Sequence, residues 1–221
     1  MHKIKNSIHN QTAFTIILLN LISNVNFYKM DLSELLQGPL GNQMIEGVKG
    51  QLGIDTEKAK SAVSSAVPVL VSALNSNVKG GGAESLLNAL NKHDGSILDN
   101  LGEFLNGGDF SDGAGILSHV LGDNQSKVEN ALGVSSGLSS SQISKILMIL
   151  APIVMGYLGK QKQQSNVDSG GLGDLLGGLL GGGGQSDILE SILNSGGKKS
   201  SGGGLMDIGS KILGGLFGGK K

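Results

Sequence analysis

The 221-residue chain contains no cysteine, no tryptophan and no arginine, and each absence narrows its chemistry. Without cysteine there is no disulfide, no thiolate zinc site and no cysteine nucleophile. All 17 basic residues are lysines, so the planar guanidinium that reads phosphates and guanine edges is missing. The net charge is -1, and only five phenylalanines and two tyrosines could stack on bases. This composition argues against a nucleic-acid partner.

An apolar pattern centred on proline occurs twice in the chain. One copy surrounds Pro68 and the other surrounds Pro152, 84 positions later. In each copy apolar residues recur at the i, i+3, i+4, i+7 spacing of an amphipathic helix. Aligning Leu52-Gly53-Ile54 with Leu132-Gly133-Val134 makes both glycines the ends of preceding helices, and it requires four extra residues in the second connecting loop. The pattern predicts a duplicated helical unit.

The two proline helices differ in their polar residues. The first keeps a side that we expect to face water, which carries Lys58, Lys60, Ser61 and Ser64. The second is apolar on nearly every side over residues 146–155 and is predicted to be the buried central helix. A proline inside a helix removes one backbone donor and costs about 3 kcal/mol, so both helices are predicted to kink. Strand-like alternation of any length is absent, and the prediction is an all-α compact bundle of about seven to eight helices.

Composition divides the chain into three parts. Residues 1–29 hold three lysines, no acid and an interrupted apolar stretch, which is typical of a misassigned start, a weak export signal or a membrane-associated helix. Residues 30–162 form the predicted helical domain. Residues 163–221 are a glycine-rich tail with three short apolar cassettes, at 172–180, 188–193 and 205–217, which we expect to be flexible because glycine makes short helices unstable.

Each motif with a chemical reading has a better structural one. Residues 133–137 match the G-x-S-x-G nucleophile pattern, but a helical pattern precedes them where a strand is needed. Residues 109–113 place two carboxylates at a glycine turn without the remaining ligands of a calcium loop. His93 and His119 lack a second histidine three or four residues away. We therefore predict no catalytic residue, no metal site and no cofactor, and a structural role for five residues: Pro68, Pro152, Gly53, Gly133 and His119.

Three segments together carry a resemblance to a known family. They are residues 30–36 (MDLSELL), the duplicated proline helices, and residues 113–122 (GAGILSHVLG). The chain resembles the bacterial family of unknown function DUF937, which includes YidB-like proteins, over about residues 30–162. The resemblance implies a helical bacterial protein without an established activity. It assigns no catalytic or binding residue, although it draws attention to His119.

These observations favour a structural or protein-interaction module that binds an unknown protein partner or a second copy of itself. The alternative is a peripheral membrane or envelope-associated protein, whose lysine-bearing segment 205–217 makes weak contact with an anionic membrane surface. An enzyme ranks third, because no acids, bases and nucleophiles occur at recognisable spacing. The absence of cysteine fits a cytoplasmic location, with a membrane-associated or exported protein as the alternative.

Overall fold

A computed structural model describes residues 32–181 and 188–195 of the chain. These residues form eleven α-helices and no strand, which confirms the all-α prediction for the described part. Two short turns of other helical types, Val78–Gly82 and Gly122–Asn124, join neighbouring helices. The α-helices are α1 (Leu32–Gln37), α2 (Pro39–Leu52), α3 (Thr56–Asn77), α4 (Ala83–Lys92), α5 (Ser96–Asp99), α6 (Leu101–Gly107), α7 (Ser111–Leu121), α8 (Gln125–Ser136), α9 (Ser140–Gln164), α10 (Leu172–Leu179) and α11 (Ile188–Ser195).

The long helices α3 and α9 begin in the same way at equivalent positions. Asp55 caps α3 by accepting a hydrogen bond from the Lys58 amide at 2.8 Å. Ser139, 84 positions later, caps α9 by accepting one from the Gln142 amide at 3.2 Å, and the Gln142 side chain completes a capping box. Each cap satisfies amide groups that the first helical turn leaves without an internal partner. The two copies therefore share one register from the helix start through Pro68 and Pro152.

Helix α2 ends at Gly53 and helix α8 ends at Gly137, and the two glycines are again 84 positions apart. Both adopt the left-handed conformation, with φ values of 62° and 66°, which glycine reaches without a Cβ penalty. The sequence alignment placed the second helix end at Gly133 and was wrong there. Gly133 lies buried inside α8, where a Cβ would come within 2.8 Å of the Leu138 carbonyl oxygen. When Gly53 is aligned with Gly137, the four extra residues in the second connecting loop are no longer needed. The sequence alignment had used the Leu-Gly-Val triplet at 132–134, which lies one helical turn before the end of α8.

The duplication extends beyond the proline helices. Helices α1, α2 and α3 correspond in order to α7, α8 and α9, and α3 and α9 pack against each other. The helix that follows each central helix packs on the opposite one, so α4 contacts α9 and α10 contacts α3. In the first repeat, α5 contacts α9 and α6 contacts α2. In the second repeat, α11 makes both of the equivalent contacts, with α3 and with α8. Helices α10 and α11 thus complete the second repeat.

The described part of the glycine-rich tail is packed into the core, which departs from the expectation that the tail stays outside the domain. Buried apolar side chains on or next to α10 and α11 are Leu172, Leu176, Leu179, Leu180, Leu189 and Ile192. Glycine content lowers the stability of these helices in isolation, but contact with α3 decides whether they form in the protein. The cassette at 205–217 and residues 1–29 lie outside the described residues.

Both central helices are buried to a similar extent. Fifteen residues of α3 and fifteen of α9 are buried, so α9 is not the sole centre of the bundle. The expectation that α3 keeps a wet side is wrong at Ser64, which is 6% exposed, and the neighbouring Ser65 is 2% exposed. Ser65 satisfies its hydroxyl by donating to the Ser61 carbonyl at 2.8 Å. Small serines are compatible with burial when their hydroxyls bond locally to the helix backbone.

Candidate helix-docking site

Helix α9 has a slot that receives the turn between α4 and α5. Gly156 and Gly159 form its floor. A Cβ on Gly156 would come within 2.6 Å of the Ile97 side chain, and a Cβ on Gly159 would overlap the carbonyl oxygen of His93. Only glycine lets the turn backbone approach this closely. We call this surface the glycine slot.

Helix α3 has the equivalent slot with polar side chains in place of the glycines. Ser72 and Asn75 lie 84 positions before Gly156 and Gly159. Because residues three apart share a helix face, Ser72 and Asn75 are neighbours on α3. Helix α11 covers this face: the Leu189 amide donates a hydrogen bond to the Ser72 hydroxyl at 3.3 Å, and Ile192 is buried. We call this surface the polar slot.

The polar slot contains a polar atom that the described residues leave unused. Asn75 is 2% exposed, and its side-chain Oδ1 is buried without a hydrogen-bond partner in the part of the chain that the structure describes. A buried acceptor without a donor costs about 1–3 kcal/mol. Helix α11 bonds to Ser72, and within the described ranges no group donates a hydrogen bond to the buried Asn75 Oδ1.

Polar contacts surround the turn in the glycine slot. Asp94 Oδ1 accepts a hydrogen bond from the Ser96 amide at 3.0 Å, and this bond lowers the pKa of the Asp94 carboxyl. Lys160 on α9 lies 3.7 Å from Asp99, and His93 Nε2 lies 3.8 Å from an Asp112 oxygen. The Lys160 contact joins α5 to α9 and the His93 contact joins the turn to α7, and surface ion pairs of this kind contribute little to stability. The glycine slot is therefore closed mainly by the close backbone contact at Gly159.

The two prolines singled out in the sequence lie in the core, whereas His119 lies on the surface. Pro68 and Pro152 are buried inside α3 and α9. His119 is exposed on α7, and no described residue forms a hydrogen bond or ion pair with its imidazole, so the structural role expected for it stays a prediction. In the same segment, Gly113 packs against the Met148 backbone, where a Cβ would overlap its carbonyl oxygen, and Leu117 is fully buried. The segment 113–122 therefore packs α7 against α9.

Sequence reasoning missed all four residues of the two slots. Their signal was present once the prolines were aligned, because Gly156 and Gly159 replace Ser72 and Asn75 at an i, i+3 spacing. Small residues at that spacing on a buried helix indicate close backbone approach. The presence of glycines in one repeat and polar side chains in the other could therefore have indicated that α9 and α3 contact different segments at these positions.

The chemical motifs form no reactive centre among the described residues. Ser135 lies in a helix and donates to the Leu132 carbonyl at 3.0 Å, which does not match an exposed strand-to-helix nucleophile. Asp109 Oδ1 accepts from the Ser111 amide at 2.8 Å, and this bond lowers the pKa of its carboxyl. Within the described ranges no group of three histidine or carboxylate side chains could hold a metal ion. A groove of about 400 Å³ beside α5 and α6 is lined by Ile97, Phe104 and short polar residues.

One described helix is long and apolar enough to cross a membrane by length and composition. It is α9, and 78% of its most apolar window is buried within the protein. Core helices of soluble proteins pass the same test, so this feature gives weak evidence about compartment. The burial is explained by the contacts of α9 with α3, α4, α7 and α8.

The described residues define a class: an all-α protein of two interlocked helical repeats, with a slot on each central helix that another segment of the chain covers. The chain belongs to the bacterial protein family of unknown function DUF937, whose family model matches residues 34–161. The match confirms the resemblance drawn from the sequence. It ends before α10 and α11, the helices that complete the second repeat. No curated protein and no solved structure matches the chain.

Proposed function

We propose that this protein is a structural or protein-interaction module, and that the polar slot on α3 is its binding site for short amphipathic helices. One observation carries the proposal: α11, a helix of eight residues, docks there with only Leu189 and Ile192 among its described side chains buried. So small an apolar contact holds a helix weakly, because burying one large aliphatic side chain stabilises by about 1.5–3 kcal/mol. A weakly held helix can be replaced by a competing one.

Connectivity supports the same site. In the first repeat only three residues, His93, Asp94 and Gly95, separate α4 from α5. In the second repeat residues 180–187 separate α10 from α11, and this stretch contains Gly181, Gly182, Gly183 and Gly184. A glycine-rich connection constrains its ends little. The segment in the polar slot is therefore less firmly tied than the turn in the glycine slot.

The experiment uses the full chain and a labelled peptide of residues 186–196. The Ile192→Asp variant should release α11 and bind the added peptide, while the unaltered chain should bind it about tenfold or more weakly, since its own α11 competes at high effective concentration. Glu190 is exposed on the same helix, so Glu190→Gln is the matched control and should behave like the unaltered chain. A peptide carrying Leu189→Asp should not bind. Absence of binding to the Ile192→Asp chain would exclude the slot as a helix-docking site.

A membrane-surface role rests on residues 205–217, which lie outside the described residues. Lysines near an anionic surface add about 1 kcal/mol each, so that role predicts flotation with anionic vesicles that weakens as salt increases. Docking in the polar slot predicts loss of binding on substitution of buried apolar residues, with little effect of salt. Deleting residues 196–221 separates the two roles, because it leaves α10 and α11 in the chain.

A further inference from the structure

The pattern of α10 and α11 occurs a third time, outside the described residues. Apolar pairs four residues apart stand at 175–176 and 179–180, at 188–189 and 192–193, and at 212–213 and 216–217. The first two copies form helices that pack on α3. The third copy is preceded by Leu205 and Ile208, which extend its apolar stripe at helical spacing over two further turns. Its sequence therefore contains more apolar residues at helical spacing than that of α11.

We infer that residues 205–217 compete with α11 for the polar slot on α3, so that this protein exchanges two of its own helices at one site. The inference rests on the proposed function of that slot and names its occupant. The occupant is chosen by its sequence pattern and by its reach, both of which the chain supplies.

The chain is long enough for the exchange. Helix α11 ends at Ser195, and residues 196–204 precede the third segment. Nine extended residues span about 30 Å, whereas the eight residues of α11 are about 12 Å long. The linker is rich in glycine and serine, so it imposes little stiffness. The third segment can return to the slot that α11 occupies.

The test measures how often α11 leaves the slot in the full chain. Because the protein has no cysteine, an Ile192→Cys variant carries a single thiol whose reaction with a thiol reagent reports opening of the slot. Adding a peptide of residues 204–219 should speed this reaction about threefold or more by holding the open state. Disabling the competitor in the same chain with Ile212→Asp and Leu216→Asp should slow it by a similar factor. A Leu176→Cys variant on α10 is the control and should react at an unchanged rate.

Two further measurements define the occupant. Hydrogen exchange of the α11 amides in the cysteine-free chain repeats the measurement without a substitution at Ile192. Dependence of the opening rate on protein concentration distinguishes a segment supplied by a second copy from one supplied by the same chain.

Each remaining result is decisive. If a peptide of residues 186–196 accelerates labelling and the 204–219 peptide does not, the slot binds helices but the third segment is not its occupant. If neither peptide acts, both the occupant and the docking function are overturned. Equal acceleration at Ile192→Cys and Leu176→Cys would show general unfolding, which also contradicts the inference.

Discussion

The two repeats of this protein share one order of helices but differ in the segment that covers the equivalent slot on each central helix. The first repeat closes the slot on α9 with a three-residue turn seated on Gly156 and Gly159. The second repeat covers the slot on α3 with α11, which follows a longer glycine-rich connection and leaves Asn75 Oδ1 unpaired. The comparison shows that two repeats with the same helix order can cover equivalent surfaces with different segments. One slot is covered by a short backbone turn and the other by a helix that follows a glycine-rich connection.

The largest expected effect tests whether both central helices are equally buried. Leu70 and Leu150 are 2% and 0% exposed, so Leu70→Asp and Leu150→Asp should both abolish soluble folded protein. An unpaired buried carboxylate costs several kcal/mol, which is comparable with the stability of a whole domain. Expression of soluble protein and circular dichroism measure the outcome. If Leu70→Asp retained a cooperative transition while Leu150→Asp did not, α9 alone would be the centre of the bundle.

The next comparison asks whether the glycine-rich tail belongs to the core. Leu90 on α4 and Leu176 on α10 hold equivalent positions and are 1% and 0% exposed. Leu90→Ala and Leu176→Ala should each lower the free energy of unfolding by about 2–5 kcal/mol, because each removes buried methyl groups and leaves a cavity. Denaturant titration of the full chain measures both. A Leu176→Ala variant as stable as the unaltered protein would show that α10 contributes nothing to the core.

A smaller effect separates the two slots. Gly159→Ala should lower the free energy of unfolding by about 1–3 kcal/mol, since the new methyl group overlaps the His93 carbonyl and forces the turn outward. Asn75→Ala, the equivalent change on α3, should cost less, because it removes a buried acceptor that has no partner. Thermal or denaturant unfolding of the two variants gives the order. The reverse order would mean that the polar slot is the more tightly packed of the two.

The smallest effect concerns acid and the caps of the central helices. The hydrogen bond from the Lys58 amide lowers the pKa of the Asp55 carboxyl, whereas Ser139 at the equivalent position does not titrate. A lowered folded-state pKa means that the cap stabilises above the unfolded pKa and loses this contribution as pH falls through the folded pKa. Below about pH 4, the first turn of α3 should therefore fray before that of α9.

Hydrogen exchange at the Lys58 and Gln142 amides, compared at equal intrinsic rates, measures that difference. Asp55→Asn keeps a capping side chain without a titratable group, so it should make the Lys58 amide respond to acid as weakly as the Gln142 amide does. If both amides responded equally to acid in the unaltered chain, protonation of Asp55 would not be the cause of the fraying.

Periodicity predicted much of the fold because it reports burial along one helix at a time. The apolar stripes around Pro68 and Pro152 identified both central helices. The Gly133 alignment failed because two glycines one turn apart look alike in sequence, and only the left-handed φ of Gly137 marks the helix end. The kinks expected at the two prolines stay a prediction.

The sequence alone determined the helical class, the duplication and the absence of cysteine and arginine chemistry, since these follow from composition and local spacing. Only the tertiary structure decided which helices cover α3, because the leucines of α10 and α11 become part of a core through contacts made across the chain. It also decided that Ser72 and Asn75 form a slot, because the meaning of a small polar residue on a helix depends on what packs above it. A stripe of residues records that a face is buried, whereas the partner that buries it is a property of the assembled fold.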